Sequence, residues 1–91
     1  MQLEWDEAKR NWTLEVRGLD FASIADVNWD TAFTIVDDRG DYAEQRFITM
    51  APLRDRLCVF VWCERGNATR IISLRKANDR ERRYYGQAID R

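Results

Sequence analysis

The run Leu57-Cys58-Val59-Phe60-Val61-Trp62-Cys63 is the longest uninterrupted apolar segment of the chain and constrains its fold most. It is far short of the roughly 20 residues a membrane helix needs. As a strand it would present apolar side chains on both faces, which suits the middle of a sheet covered on both sides. The 91 residues, 45% hydrophobic and with four Trp, can supply one such core and therefore one small domain over residues 1–91. A domain of this size buries only about 60–65% of its unfolded surface, so ordinary or marginal stability is expected.

The signals around that segment place the other elements. Asp6 can cap a helix running to about Arg17, with Ala8, Trp12 and Val16 recurring every four residues on an expected core face, and Gly18 fits the left-handed position that ends it. Asp20 can cap a second, shorter helix that presents Phe21, Ile24 and Ala25 and ends near Asn28. From Ala32 the pattern changes to strand: Ala32–Val36, Gln45–Ala51, Leu57–Glu64 and Thr69–Arg75, separated by polar or Gly-Asn turns. Asn78 with Glu81 three residues later makes a capping box for a last helix, Asp79–Ile89. The expected class is α+β: two N-terminal helices, a four-stranded antiparallel meander and a C-terminal helix. A short extra strand at Gln2–Glu4 is open.

A formal charge of −1 conceals two unlike halves, −7 over residues 1–45 and +6 over residues 46–91. Thirteen of the fifteen basic residues are Arg, whose planar fork of donors suits phosphate or carboxylate. The basic half could face nucleic acid or an acidic partner, or it could be satisfied by the acidic half of its own domain. With two Cys and no His, a zinc finger, a haem-ligating His and a His-containing triad are excluded. The start Met1-Gln2-Leu3-Glu4-Trp5-Asp6 is neither basic nor apolar, so no secretory signal and a cytoplasmic location are expected.

Cys58 and Cys63, five apart on one strand, should point to opposite faces and remain buried thiols. Core packing accounts for Trp12 and Trp62, and Trp5 and Trp29 sit at helix edges where an aromatic commonly caps a core. Strict alternation along Arg70-Ile71-Ile72-Ser73-Leu74-Arg75 would send Arg70 and Arg75 to opposite faces, one of them toward a core, unless a bulge or strand end intervenes. An Arg held there needs an anion, either an internal carboxylate such as Glu44 or Glu64, or a phosphate.

Several blocks, in order and over nearly the whole chain, resemble the BrnT family. They are Trp5-Asp6-Glu7-Ala8-Lys9, Gly18-Leu19-Asp20-Phe21, Asp37-Asp38-Arg39-Gly40-Asp41-Tyr42, Glu44-Gln45-Arg46-Phe47-Ile48, Glu64-Arg65-Gly66, Arg70 through Ala77, and Arg80-Glu81-Arg82-Arg83-Tyr84. The resemblance implies a RelE-like fold and an endoribonuclease toxin of a type II toxin–antitoxin system that arrests translation. It implies no metal and no other cofactor, because the RNA's own 2′-hydroxyl attacks. The implied partners are RNA, on the ribosome or recognised through a shaped site, and a ribbon-helix-helix antitoxin of the BrnA kind in a two-to-two complex, with no membrane.

By the same resemblance, Arg46, Arg70 and Arg75 match basic positions that would stabilise the phosphorane. Glu64 is the matching carboxylate for a base, since Arg, with a pKa above about 12, cannot be one. Tyr84 is a positioning group, and the last helix, with Tyr84, Tyr85, Ala88 and Ile89, is either a docking surface for the antitoxin or sheet packing. Val16-Arg17-Gly18 stands where the family typically has Lys-His-Gly, and Thr13 where it commonly has Asn. The alternative function is therefore a catalytically silent, antitoxin-binding module of the same fold, and a structural domain unconnected with RNA is a third.

Overall fold

The apolar run forms the middle strand of five in a computed structural model that describes residues 1–89. In chain order the elements are β1 (Gln2–Trp5), α1 (Glu7–Arg17), two 3-10 helices (Phe21–Asp26 and Trp29–Thr31), β2 (Phe33–Asp37), β3 (Arg46–Leu53), β4 (Arg56–Arg65), β5 (Ala68–Lys76) and α2 (Asp79–Ile89). The strands lie in the order β1-β5-β4-β3-β2. The class is α+β as expected, and β2 to β5 form the antiparallel meander. The sheet is nevertheless mixed and not four-stranded, because β1 pairs parallel with β5 from Gln2–Ala68 to Trp5–Ile71.

The second N-terminal helix is also corrected. Two short 3-10 turns take its place, the first capped by Asp20 and the second by Asn28. Neither is long enough to propagate an α-helix, whose nucleation is costly. They serve to plug one face of the sheet. Phe21 and Ile24, both fully buried, pack with Ala51, Leu53, Cys58, Phe60, Ile71 and Leu74. Trp5 lies edge-on to Phe21, and Trp29 lies edge-on to both Phe60 and Trp62. Trp62 Nε1 donates to Thr49 Oγ1 at 2.9 Å, which satisfies the indole inside the sheet.

The face of α1 differs from the expected one. Ala8 is exposed, Trp12 is 50% exposed and Val16 61%, while Thr13 is the buried residue. Polar anchors orient this helix. Arg10 forms a two-pronged pair with Asp20 (2.9 and 3.1 Å), and Arg17 Nη1 donates to the Leu74 carbonyl at 2.9 Å. Arg10, Thr13 and Arg17, spaced three and four apart, share one side and turn it to the body of the protein. Partners for these groups outweigh burial of Trp12 and Val16, since a guanidinium or carbonyl left dry and unpaired is costly. β1 ends opposite Ile71, so Arg17 reaches β5 beyond that end.

The pairing of β4 with β5 contains one irregularity. Val61 pairs with Ser73, but Trp62 pairs with Ile71, so Ile72 is an extra residue in β5. Buried Ile71 and Leu74, three apart, therefore both face the core cluster. Cys58 lies in that cluster and Cys63, opposite Arg46 and Arg70, on the other face; both are buried free thiols, whose pKa burial pushes up. α2 begins with the expected capping box: Asn78 Oδ1 accepts from Glu81 N at 2.8 Å, and Glu81 Oε1 from Asn78 N at 3.0 Å.

Two substitutions separate the core from the helix surface. Phe21→Ala should cost about 3–5 kcal/mol in urea unfolding, because it empties a fully buried site. Trp12→Ala should cost less than about 1 kcal/mol, its main loss being the stack with Arg17. Equal costs would contradict this packing.

Candidate active site

The bulge at Ile72 brings Arg70 and Arg75 to the same side of the sheet. Arg75 is opposite Val59 and Arg70 opposite Cys63, and these two residues, four apart on the regular strand β4, share a face. Arg46 is opposite Cys63 from the other side, so Arg46, Cys63 and Arg70 form a row across three strands, with Glu4 next to Arg70 on β1. The two Arg backbones are thus about 10 Å apart, and Arg75 stands roughly 13 Å further along the strands. α2 overlies the Arg75 end of this face through Glu81 and Tyr84.

Each guanidinium has a carboxylate partner. Arg75 grips Glu81 through two bonds, 2.8 Å from Nη1 to Oε1 and 2.7 Å from Nη2 to Oε2. Arg70 Nη1 meets Glu4 Oε1 at 3.3 Å, and Arg46 Nε meets Glu44 Oε1 at 3.3 Å. The internal carboxylate that the sequence offered as one of two partners for such an Arg is present, but as Glu4, which β1 delivers to Arg70, and Glu81 for Arg75, and not as Glu44 or Glu64. The pairing with Arg75 and the Asn78 N–H lower the Glu81 pKa, and hydrogen bonding to Glu81 raises that of Arg75.

Of the sequence candidates, Arg46, Arg70, Arg75 and Tyr84 border one face. Tyr84, 48% exposed, lies edge-on to Phe33 at 5.5 Å and flanks an open cavity of about 530 Å³ with Met50 and Glu81. Glu64 is not brought to this face. It pairs with Thr69 one residue after Cys63, so it is exposed on the opposite side. Arg17 is likewise elsewhere, stacked on Trp12 at 4.9 Å and bound to the Leu74 carbonyl. In α2 no described residue is fully buried, although the Tyr85 hydroxyl donates to the Thr31 carbonyl.

The loop after β2, a polar turn by its sequence, adds further charged and aromatic residues. Asp37, only 4% exposed, accepts from Arg39 Nε and Nη2, both at 2.8 Å, and from the Arg39 N–H at 3.2 Å. Arg39 lies near enough to Arg75 to oppose its protonation. The Arg46 guanidinium sits 4.1 Å from the centre of the Tyr42 ring. The usable signal was the Asp37–Tyr42 block itself, in which one Asp is followed two residues on by Arg. Among the described residues, no three His, Cys, Asp or Glu side chains group as metal ligands, and no helix is long and apolar enough to cross a membrane.

Asp37 couples the loop to pH. Hydrogen bonding to Arg39 lowers its pKa from 3.8 to about 2. Its folded-state pKa is depressed, so its stabilisation is complete above the unfolded value and is lost as pH falls through about 2. Asp37→Asn should lower the urea midpoint at pH 7, and its deficit relative to the parent chain should shrink at pH 2. A deficit of the same size at both values would remove Asp37 from this linkage.

No curated protein matches the chain. The family model described as the ribonuclease toxin, BrnT, of type II toxin–antitoxin systems matches residues 5–81. That span contains Arg46, Arg70, Arg75 and Glu81 and the loop from Asp37 to Glu44, whereas Glu4 and Tyr84 lie outside it. With most of its length covered, the chain belongs to the BrnT family of ribonuclease toxins of type II toxin–antitoxin systems.

Proposed function

We propose that this protein cleaves RNA without a metal at the face carrying Arg46, Arg70 and Arg75, and so arrests translation. The observation that carries the reading is the Ile72 bulge, which gives those three guanidinium groups one common side. In the reaction the 2′-oxygen attacks the adjacent phosphorus as it loses its proton, and the 5′-oxygen leaves with a proton. The products are a 2′,3′-cyclic phosphate and a 5′-hydroxyl. Arg46 and Arg70 stabilise the charge on the phosphorane, and Arg75 holds a neighbouring phosphate. Such positioned charges act most strongly on a transition state more highly charged than the substrate.

The base in this proposal is Glu44. Oε1 meets Arg46, and among the described residues Oε2 accepts no hydrogen bond, so it is available to the 2′-hydroxyl. Glu81 is a poor choice because both oxygens are occupied by Arg75 and Asn78. Glu64, on the far side of the sheet, has no role in this scheme. Tyr84 positions the RNA strand from α2. The antitoxin is a ribbon-helix-helix protein forming a two-to-two complex, and the setting is the cytoplasm.

Inducing the chain alone in a bacterial host should stop amino-acid incorporation, and Arg75→Ala should restore it. With purified protein, Arg46→Ala, Arg70→Ala and Glu44→Gln should each slow RNA cleavage by about 100-fold or more. Glu64→Gln should leave the rate unchanged, and chelation of divalent ions should have no effect. Folded protein that leaves both RNA and translation untouched would favour the silent antitoxin-binding module, the reading to which Arg17 in place of the family's His gives support.

A further inference from the structure

The loop between β2 and β3 makes contacts whose common outcome is the placement of one side chain. The Arg46 guanidinium lies over the Tyr42 ring, 4.1 Å from its centre, and its Nε is tied to Glu44 at 3.3 Å. Among the described residues this is the only hydrogen bond Arg46 side-chain nitrogens make, so both terminal nitrogens remain available to an anion. Tyr42 is itself confined. A Cβ at Gly40 would lie 3.0 Å from Tyr42 Cζ and 3.2 Å from its hydroxyl oxygen, so the loop passes close against the ring and a side chain there would push it aside by a few tenths of an ångström. The base of the loop is fixed by Asp37, buried and bound by Arg39, and Tyr42 is among the groups that lower its pKa.

We propose that Tyr42 is a positioning residue for RNA cleavage: packed against Gly40, its ring supports the Arg46 guanidinium and directs its free edge toward the phosphate bound beside Arg70. This rests on the reading of the Arg face as the cleavage site. A guanidinium on a flexible chain loses entropy when it must find a phosphate, and an aromatic platform removes that cost in advance. The benefit belongs to the transition state, where placement of charge matters most. Ground-state RNA affinity should change little, because other phosphate contacts hold the strand.

The test is cleavage of a fluorescently labelled, single-stranded RNA of mixed sequence by the full chain, with kcat and KM measured separately. Tyr42→Leu should lower kcat by about 10- to 100-fold with KM within about 3-fold. Tyr42→Phe, which keeps the ring, should recover most of that loss. Gly40→Ala, which crowds the ring without removing it, should fall between the two, and it carries the test if Tyr42→Leu does not fold. In NMR spectra of the parent chain the Arg46 Hδ protons should be shifted upfield by the ring, and Tyr42→Leu should abolish the shift. A residue with only a structural role would show equal damage in Tyr42→Phe and Tyr42→Leu in proportion to lost stability, and that outcome overturns the proposal. So does a Tyr42→Leu enzyme as fast as the parent when Arg46→Ala is inactive. If Arg46→Ala itself cleaves normally, the cleavage-site reading fails first and the positioning role falls with it.

Discussion

The extra residue Ile72 in β5 is the constraint on which the rest of this protein depends. Without it, Arg70 and Arg75 would sit on opposite faces, and one guanidinium would enter the cluster of Phe21, Ile24, Phe60 and Leu74. Burying a charge there without a partner costs several kcal/mol, a large part of a small domain's stability. The bulge instead lets Ile71 and Leu74 fill the core while both Arg face outward together. One irregularity thus satisfies the packing and assembles the charge.

The second constraint is electrostatic. Arg39, Arg46, Arg70 and Arg75 are matched with Asp37, Glu44, Glu4 and Glu81. A face bearing four Arg therefore carries little net charge when unoccupied, which limits self-repulsion in the fold. In the proposed reaction an RNA phosphate competes with carboxylates as well as water for the guanidinium edges. Pairs held by one long bond, such as Arg46–Glu44 at 3.3 Å, yield more readily than the two-pronged Arg75–Glu81 pair, which also caps α2. By this ordering the Arg46–Glu44 and Arg70–Glu4 pairs part more easily than Arg75–Glu81.

Local chemistry was legible wherever its partners lie close in sequence. Asp6 caps α1, Gly18 adopts the left-handed conformation at its end with φ of 71°, and Asn78 with Glu81 starts α2. The apolar run identified β4 as the middle strand, since only a two-sided interior accepts apolar residues on both faces. The candidate site was legible only through the resemblance to the BrnT family, which pointed to Arg46, Arg70, Arg75, Glu64 and Tyr84; nothing local to the sequence distinguished Glu64 from Glu4, Glu44 or Glu81. That choice turns on face, and face depends on register.

Composition and short-range pattern by themselves determined an α+β domain with one central sheet, a chemistry without His, and an Arg-rich second half. They also left open both a short strand at residues 2–4 and a bulge between Arg70 and Arg75. Only the tertiary structure decided the parallel pairing of β1, the outward turn of Trp12 and Val16, and the side on which each charge lies. The reason is physical. Caps and turns are settled by neighbours a few residues away, whereas strand register and helix rotation are settled by competition among distant partners: Arg10 for Asp20, Arg17 for the Leu74 carbonyl, Arg70 for Glu4. Those partners lie 10, 57 and 66 residues apart along the chain and meet only when it has folded.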